Sequence, residues 1–389
     1  MEKKTNLLLA ISFFASLALF SLATWAVTPP EISTEENRRM AALPKLSRKN
    51  WLAFPQAFEA YFNDRFFSRT ALVKTRNWIR FKCWQISAAP SILIGKNGWL
   101  YFLGETGTVL TSREESYSAQ DLKQWKDALV ARNKYFESKG IKYLFVVAPD
   151  KQSIYPEFFP RRRPDPSRLD QLSTYLGKNP EIPFVSLKPA LMESKTASED
   201  LYFKTDSHWN DLGAFIADSY VSAKLSALLP GVQPLVASNF SFKDNSFNSG
   251  DCTKLMGLFG WIKETAPNLD ASIAAPSATF EKSSGRSFAS EISSCATGDT
   301  KLPRAVIFHD SFGDGWKPYL SRHFSRAAYQ LRQADLGLDL DLIEAEKPDI
   351  VIQEVVERHV VQLLPAAPRD WRHQFCDFIQ TAQGASDWL

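Results

Sequence analysis

The sequence predicts an α/β fold, a parallel sheet flanked by helices, and three observations carry that expectation. The run Tyr143–Ala148 is apolar without alternation, as in a strand buried on both faces, and Arg304–Phe308 and Pro348–Ile352 read as further strands. Helical periodicity is interleaved between these runs, the rhythm that builds βαβ units. The polar residues capable of chemistry collect just after the runs end, where open α/β sheets gather their sites.

Taken in order, Asn6 to Val27 is an uncharged stretch preceded by Lys3 and Lys4. Its length of about 22 residues suffices for a helix to cross a bilayer core of about 30 Å. With the lysines on the cytoplasmic side, the body would face outward, which in a bacterium means the periplasm. The favoured reading is an uncleaved anchor, and the alternative is a signal peptide cut after Thr24-Trp25-Ala26. Residues 28–50 are polar and Pro-containing, a linker whose Glu35–Arg39 segment reads as a charged arm. The remainder, 51–389, reads as one domain.

Within it, Trp51 to Lys82 places Phe54, Phe58, Tyr61, Phe62 and Phe66 at helical spacing. Ser91 to Phe102 reads as a hairpin turning at Lys96-Asn97-Gly98. Ser118 caps a helix to about Ser138, and Lys139-Gly140 ends it. A helix over about 167–176, a short strand at Phe184–Leu187 and a helix to about Lys195 follow. Leu201–Thr205 is expected to lead, strand-like, into Asp206-Ser207-His208, and Asp211 opens a helix to about Leu228. Residues 229–300 look irregular, an inserted excursion. Pro318 is expected in the first turn of the helix after Ser311. Ala327–Leu331 reads as a strand and Leu338–Glu346 as a helix.

The net charge of +3 is small for 389 residues, and the basic residues are scattered, so nothing points to nucleic acid. Cys83, Cys252, Cys295 and Cys376 show no zinc or redox spacing. In an oxidising compartment, a Cys252–Cys295 bridge across the Ser-rich segment would add roughly 4 kcal/mol in the chain-entropy model. Connectivity is not fixed by sequence. No set of residues has metal-ligand spacing, and no Gly-rich phosphate loop is present, so neither metal nor cofactor is expected.

Two stretches can carry chemistry. Asp206 stands two residues before His208, so the acid can hold one imidazole nitrogen and leave the other free to take a proton. Ser311 follows the strand ending at Phe308, with Gly313 close behind and a helix to come, which exposes its hydroxyl and frees nearby N–H groups for an oxyanion. Lys151 and Tyr155 lie past another strand end, where they would line a cleft or be a solvated lysine and a packed tyrosine. Trp209 and Trp316 adjoin the two stretches and are candidates for sugar contacts or for core packing. Arg358 would stabilise charge at the site or serve as an ion-pair partner of Glu357 or another acid.

Asp310-Ser311-Phe312 resembles the Gly-Asp-Ser block of the SGNH hydrolases, with His309 in place of the glycine. Asp206-Ser207-His208-Trp209-Asn210 resembles their Asp-x-x-His block, shortened by one residue. The order is reversed, and that permuted order is similar to the periplasmic alginate O-acetyltransferases of the AlgJ/AlgX group. Glu36–Arg39, Tyr61–Arg65, Ile94–Leu100, Ala148–Lys151 and Val356–Arg358 match further phrases of that group. The resemblance implies an SGNH-like sheet and acetyl transfer to an exported polysaccharide through an acyl-serine on Ser311, with His208 as base and Asp206 orienting it. It also implies an acyl donor supplied through a membrane-bound O-acyltransferase. An esterase with the same three residues, or a non-catalytic polymer-binding scaffold, are the other readings.

Overall fold

A computed structural model describes residues 5–15, 18, 31–33, 38–66, 69–104, 116–161, 163, 165–248, 250–270, 281–284, 291–332 and 336–362. The chain divides into two compact units, residues 1–89 with 253–262, and residues 90–252 with 263–389.

In the first unit, residues 5–15 are helical and expose Leu7, Leu8, Leu9, Ile11, Phe13 and Phe14. Among the described residues, no helix is long and apolar enough to cross a membrane. Residues 19–30, most of the remaining anchor stretch, lie outside the described set. The single helical stretch expected from Trp51 to Lys82 is two helices, α1 (Phe54–Arg65) and α2 (Arg69–Trp84). The buried Asp64 carboxylate ties α1 to the preceding segment by accepting the Ala41 N–H at 2.7 Å.

The second unit opens with the expected hairpin, β1 (Ile92–Ile94) and β2 (Leu100–Phe102), whose turn puts Asn97 and Gly98 at positive φ. Helix α3 (Ala119–Glu137) starts at a reciprocal cap between Ser118 and Asp121. Strand β3 (Lys142–Ala148), the short helix α4 (Lys151–Ile154), helix α5 (Arg168–Leu176), strand β4 (Phe184–Ser186) and helix α6 (Lys188–Ser194) follow. Helix α7 (Asp211–Leu228) is capped by Asn210, whose side chain accepts the Gly213 N–H at 3.0 Å. Residues 229–300 are more ordered than expected. They hold an antiparallel pair, β5 (Phe242–Phe247) with β6 (Glu264–Leu269), then β7 (Glu281–Ser284) and β8 (Glu291–Ala296). Their sparse apolar content hid them, β5 reading Phe-Lys-Asp-Asn-Ser-Phe and β7 Glu-Lys-Ser-Ser. Strand β9 (Arg304–His309), helix α8 (Ser311–Leu320), strand β10 (Arg326–Leu331), helix α9 (Leu340–Glu346), strand β11 (Ile350–Val356) and helix α10 (Glu357–Gln362) complete the unit.

The main sheet runs β4-β3-β11-β9-β10-β8-β7. Its first five strands are parallel, and β8 and β7 add antiparallel at one edge, so the sheet is mixed rather than wholly parallel. Alternate residues of the central strands feed two cores. Leu144, Val146, Ile307 and Ile352 pack with α7 and α8, while Phe145, Val147, Val306 and Val351 pack with α3 and α5. Burial on both faces is what made these runs apolar without alternation.

Two expectations are corrected here. Pro318 sits deep inside α8, because Asp310 caps the helix and Ser311 is already its first residue. Its missing N–H removes one helical bond near the C-terminal end. Cys252 and Cys295 are both free and buried, and Cys83 is free and exposed; Cys376 lies outside the described residues. Burial raises the thiol pKa of Cys252 well above its usual value, with the Asp251 charge adding to it.

Gly213, in the first turn of α7, is a close-approach position. A Cβ there would stand 2.2 Å from the Leu201 carbonyl oxygen and 3.0 Å from the Trp209 Cβ. On an ordinary helix Gly→Ala gains about 1 kcal/mol. Here Gly213→Ala is expected to lower the midpoint of chemical denaturation, since backbone must move; an unchanged or raised midpoint would refute that reading.

Candidate active site

Three neighbouring parallel strands end at the same rim of the sheet. After β3 come Asp150 and Lys151, after β11 come Glu357 and Arg358, and after β9 come Asp310 and Ser311. Asp310 fastens two of these ends together. Its Oδ1 accepts the Phe312 N–H at 2.9 Å, and its Oδ2 accepts the Val356 N–H at 2.7 Å. Its own N–H donates to the buried Glu354 carboxyl at 3.1 Å. Burial, then the Asp310 charge, raises Glu354 well above the carboxylate range. With Phe312 and Gly313 N–H groups taken up by Asp310, the Ser311 N–H has no partner among the described residues and is free at the helix N-terminus.

The other half of the site is a loop. The expected strand over Leu201–Thr205 is an isolated bridge between Tyr202 and Trp209, closed by Asn210 N–H to Leu201 O at 3.0 Å and Phe203 N–H to His208 O at 3.2 Å. At its tip, Asp206 Oδ1 accepts the His208 backbone N–H at 3.0 Å, an Asx turn, and also meets His208 Nδ1 at 2.6 Å. One residue between acid and imidazole is therefore the spacing that lets a single oxygen serve both. On the far side of the ring, His208 Nε2 lies 2.7 Å from Ser311 Oγ. Asp206, His208 and Ser311 thus form one hydrogen-bonded line, and all three remain partly exposed.

Sequence reasoning missed Gly250, Asp251 and Glu264, which hold this loop from outside. Asp251 N–H donates to Asp206 Oδ2 at 2.8 Å, and the Asp251 carboxylate accepts the Ser207 N–H at 2.7 Å and stands 3.6 Å from His208 Nδ1. Gly250 presses on Asp206 so closely that a Cβ would fall 2.3 Å from the Asp206 Cβ. Glu264 accepts the Lys204 N–H at 2.6 Å and the Thr205 hydroxyl at 2.5 Å. No motif links these residues to the loop in sequence; the Gly250-Asp251 pair was the only available signal. Asp206, His208 and Asp251 bring potential metal ligands within 4.8 Å of one another, a cluster that linear spacing did not reveal. His208 Nδ1 and both Asp206 oxygens are already committed to the hydrogen bonds above.

The other candidates are all buried. Lys151 is buried, and its ammonium donates to the carbonyls of Phe203, Lys204 and Asp206 at 3.0, 3.1 and 2.6 Å. It supports the loop instead of facing substrate. Tyr155 is buried too, its hydroxyl accepting the Leu201 N–H at 2.8 Å. Trp209 and Trp316 lie in the core at 3% and 0% exposure, with Trp209 edge-on to Phe312, so neither presents a face to sugar. Their large apolar area explains the preference for the interior. Arg358 pairs with Asp150 at 2.6 Å rather than with Glu357, and its guanidinium lies 5.5 Å from the Phe312 ring centre. Glu357 pairs instead with Arg163 and accepts from Ser153. His309 is buried beneath the serine, and burial holds its pKa down to about 4.

Burial pushes Asp206 up, yet the bond to His208, the His208 charge and the two backbone N–H groups outweigh it and hold the carboxyl far below its usual range. Burial would likewise lower His208, but Asp206 and the Asp251 charge raise it above 6.5, against a smaller downward pull from Arg358. A histidine NMR titration is therefore expected to place the His208 midpoint above 6.5. Asp251→Asn removes a negative charge and is expected to move that midpoint down; a wild-type midpoint at or below the ordinary value would contradict this electrostatic account.

The family model for the SGNH hydrolase-like domain of the acetyltransferase AlgX matches residues 92–333, more than half of the chain. A probable alginate O-acetylase AlgJ of Pseudomonas aeruginosa is 28% identical over 214 residues, covering 52% of this chain and 48% of that protein. Its counterpart in Pseudomonas syringae pv. tomato is 24% identical over 181 residues, 45% of this chain and 43% of that one. The chain spans about half the length of the curated relatives it matches. Among solved structures, PatB1 of Bacillus cereus superposes with a TM-score of 0.50 at 14% identity, over 69% of this chain and 96% of that one, a likeness of fold. The chain belongs to the family of AlgX-type SGNH hydrolase-like domains.

Proposed function

We propose that the protein is a polysaccharide O-acetyltransferase working through an acyl-serine intermediate. The observation that carries this reading is the unbroken line from Asp206 through His208 to Ser311, with bonds of 2.6 and 2.7 Å. Family membership and the similarity to proteins named alginate O-acetylases support the acetyl chemistry and a polysaccharide acceptor.

Ser311 Oγ attacks the carbonyl carbon of an acetyl donor as its proton passes to His208 Nε2. The resulting imidazolium is stabilised by Asp206 on Nδ1 and by Asp251 nearby. Collapse of the tetrahedral intermediate expels the donor's leaving group, which takes the proton from His208. A sugar hydroxyl then attacks the acetyl-serine and gives its proton to His208, and the second collapse returns Ser311 protonated. The free Ser311 N–H is one oxyanion donor, and Arg358, fixed by Asp150 above the Phe312 ring, is the second. The apolar stretch Asn6–Val27 would hold the protein in the inner membrane with this site in the periplasm, where a membrane-bound O-acyltransferase would deliver the acyl group.

The test offers the full chain a chromogenic acetyl ester with and without oligosaccharides, and follows products and the Ser311 peptide by mass spectrometry. Acetylated oligosaccharide and an acetylated Ser311 are expected. Free acetate alone would replace transfer by esterase action, and no turnover with no adduct would leave a binding protein. Ser311→Ala and His208→Ala are each expected to lower the rate by about 10²–10⁴-fold. Arg358→Lys, which keeps a cation for Asp150 but loses the planar fork, is expected to lower kcat with little change in KM. Since the base must be neutral, kcat/KM should rise with pH through the raised His208 midpoint, and Asp251→Asn should carry that limb to lower pH.

A further inference from the structure

The exposed large apolar side chains of this protein are not spread evenly. Among the described residues, all but Met192 and Val236 lie in the unit made of residues 1–89 and 253–262. Helix α2 is the ordered centre of that set. It buries only Asn77 and Phe81, and Asn77 donates to the Met256 carbonyl at 3.0 Å on that side. At 100° per residue, Leu72, Arg76, Ile79 and Cys83 fall within about 60° of one another on the opposite side. Leu72 is 56% exposed and Ile79 36%, and Trp78 and Trp84, each about 120° around the helix from Leu72, are still 37% and 62% exposed. A helix that exposes leucine, isoleucine and tryptophan together has apolar surface that no other described residue covers.

The charge on the same helix says what would cover it. Helix α2 carries Arg69, Lys74, Arg76, Arg80 and Lys82 and no acid, and no acidic residue occurs between Asp64 and Glu105. The turn before α1 repeats the pattern, with Lys45, Arg48 and Lys49 exposed among exposed Leu43, Leu46 and Trp51. Asn50 knots that turn by donating to the Lys45 carbonyl at 2.8 Å, so it is held in shape. Tryptophan and aliphatic side chains flanked by long cations suit one environment, the headgroup layer of an anionic bilayer, where rings and alkyl groups enter and ammonium and guanidinium groups extend to phosphate.

We propose that α2 is a membrane-surface helix, lying along an anionic lipid bilayer with its Leu72–Ile79 face in the headgroup region. The reading is independent of acyl transfer and does not require residues 6–27 to span the membrane. It assigns α1 and α2 a task beyond connecting that segment to the second unit.

Cys83 supplies the probe, since it is exposed on the face in question while Cys252 and Cys295 are buried. In the full chain carrying Cys376→Ser, Cys83 is labelled with an environment-sensitive fluorophore, and the protein is reconstituted with vesicles of phosphatidylglycerol and phosphatidylcholine. The expected result is a blue-shifted emission quenched by headgroup-depth quenchers. Salt of about 1 M, where the Debye length falls to about 3 Å, should reverse it. Pure phosphatidylcholine should give a much weaker shift, and Arg76→Glu with Lys82→Glu should weaken the response about tenfold or more. A label placed by Met192→Cys in the second unit should stay aqueous throughout. An aqueous Cys83 label on anionic vesicles overturns the proposal. So does a label already shielded without lipid, which would mean that protein covers this face.

Discussion

One buried ammonium holds the candidate site in shape. Lys151 follows strand β3 and sends its three N–H donors to three carbonyls of the loop that presents Asp206 and His208. Burial lowers its pKa, and the charges of Asp251, Asp206 and Glu264 work the other way. An apolar side chain in its place would take this donor from the Phe203 and Asp206 carbonyls, each costing about 1–3 kcal/mol, while the Lys204 carbonyl would keep the Leu100 N–H. The ammonium also lies 5.5 and 5.3 Å from the ring centres of Trp99 and Tyr101, which adds cation–π attraction to the hydrogen bonds. Lys151 thus references the imidazole to the end of β3, where the Tyr202 hydroxyl also donates to the Pro149 carbonyl, although the loop that carries the imidazole is not a strand of that sheet.

The serine half is fixed by a different means. Asp310 uses both carboxylate oxygens on backbone N–H groups, one in α8 and one at the end of β11, so two strand termini and the Ser311 helix move as one body. The site therefore gathers many carboxyl groups, and their charges are managed individually. Glu354 is driven toward its neutral form, Glu357 answers Arg163, and Asp150 answers Arg358. Asp206 and Asp251 remain to act on His208, and they outweigh the desolvation that would otherwise lower it.

The parts of this arrangement that were legible in sequence are those written in local patterns. Strands buried on both faces, the cap at Ser118, the helix start at Asp211, and the Asp206–His208 and Ser311 stretches each declare themselves within a few residues. What escaped depends on contacts distant in the chain. Asp251 lies 44 residues from the Ser207 it holds, in a segment with no periodic signal. Lys151 and Tyr155 stood in the right place after a strand end, but whether they faced a cleft or a backbone loop depended on where residues 201–206 would pass. Trp209 and Trp316 were drawn into the core because a tryptophan next to a reactive residue is more easily buried than displayed. Pro318 misled because the cap at Asp310 starts the helix earlier than the proline would suggest.

The spacing of Asp206 and His208 has its own physical logic. With two intervening residues, an aspartate reaches the imidazole by side-chain contact alone. With one, its Oδ1 is first captured by the His208 backbone N–H, and the ring nitrogen then meets an oxygen already fixed by the turn. The Asp251 N–H takes the other oxygen, so the carboxylate is held by two backbone donors before the imidazole arrives. Such an acid has little freedom to reorganise as charge develops on the ring, which is the condition under which an oriented dipole or charge acts most strongly. Glutamate would keep the charge but could not close the same turn, since its carboxylate lies one methylene farther from the backbone. The shortened motif is therefore not a weakened form of the longer one. It transfers the task of positioning the acid from neighbouring side chains to the chain itself, and Gly250, with no Cβ to collide with Asp206, is what allows the second backbone donor to approach.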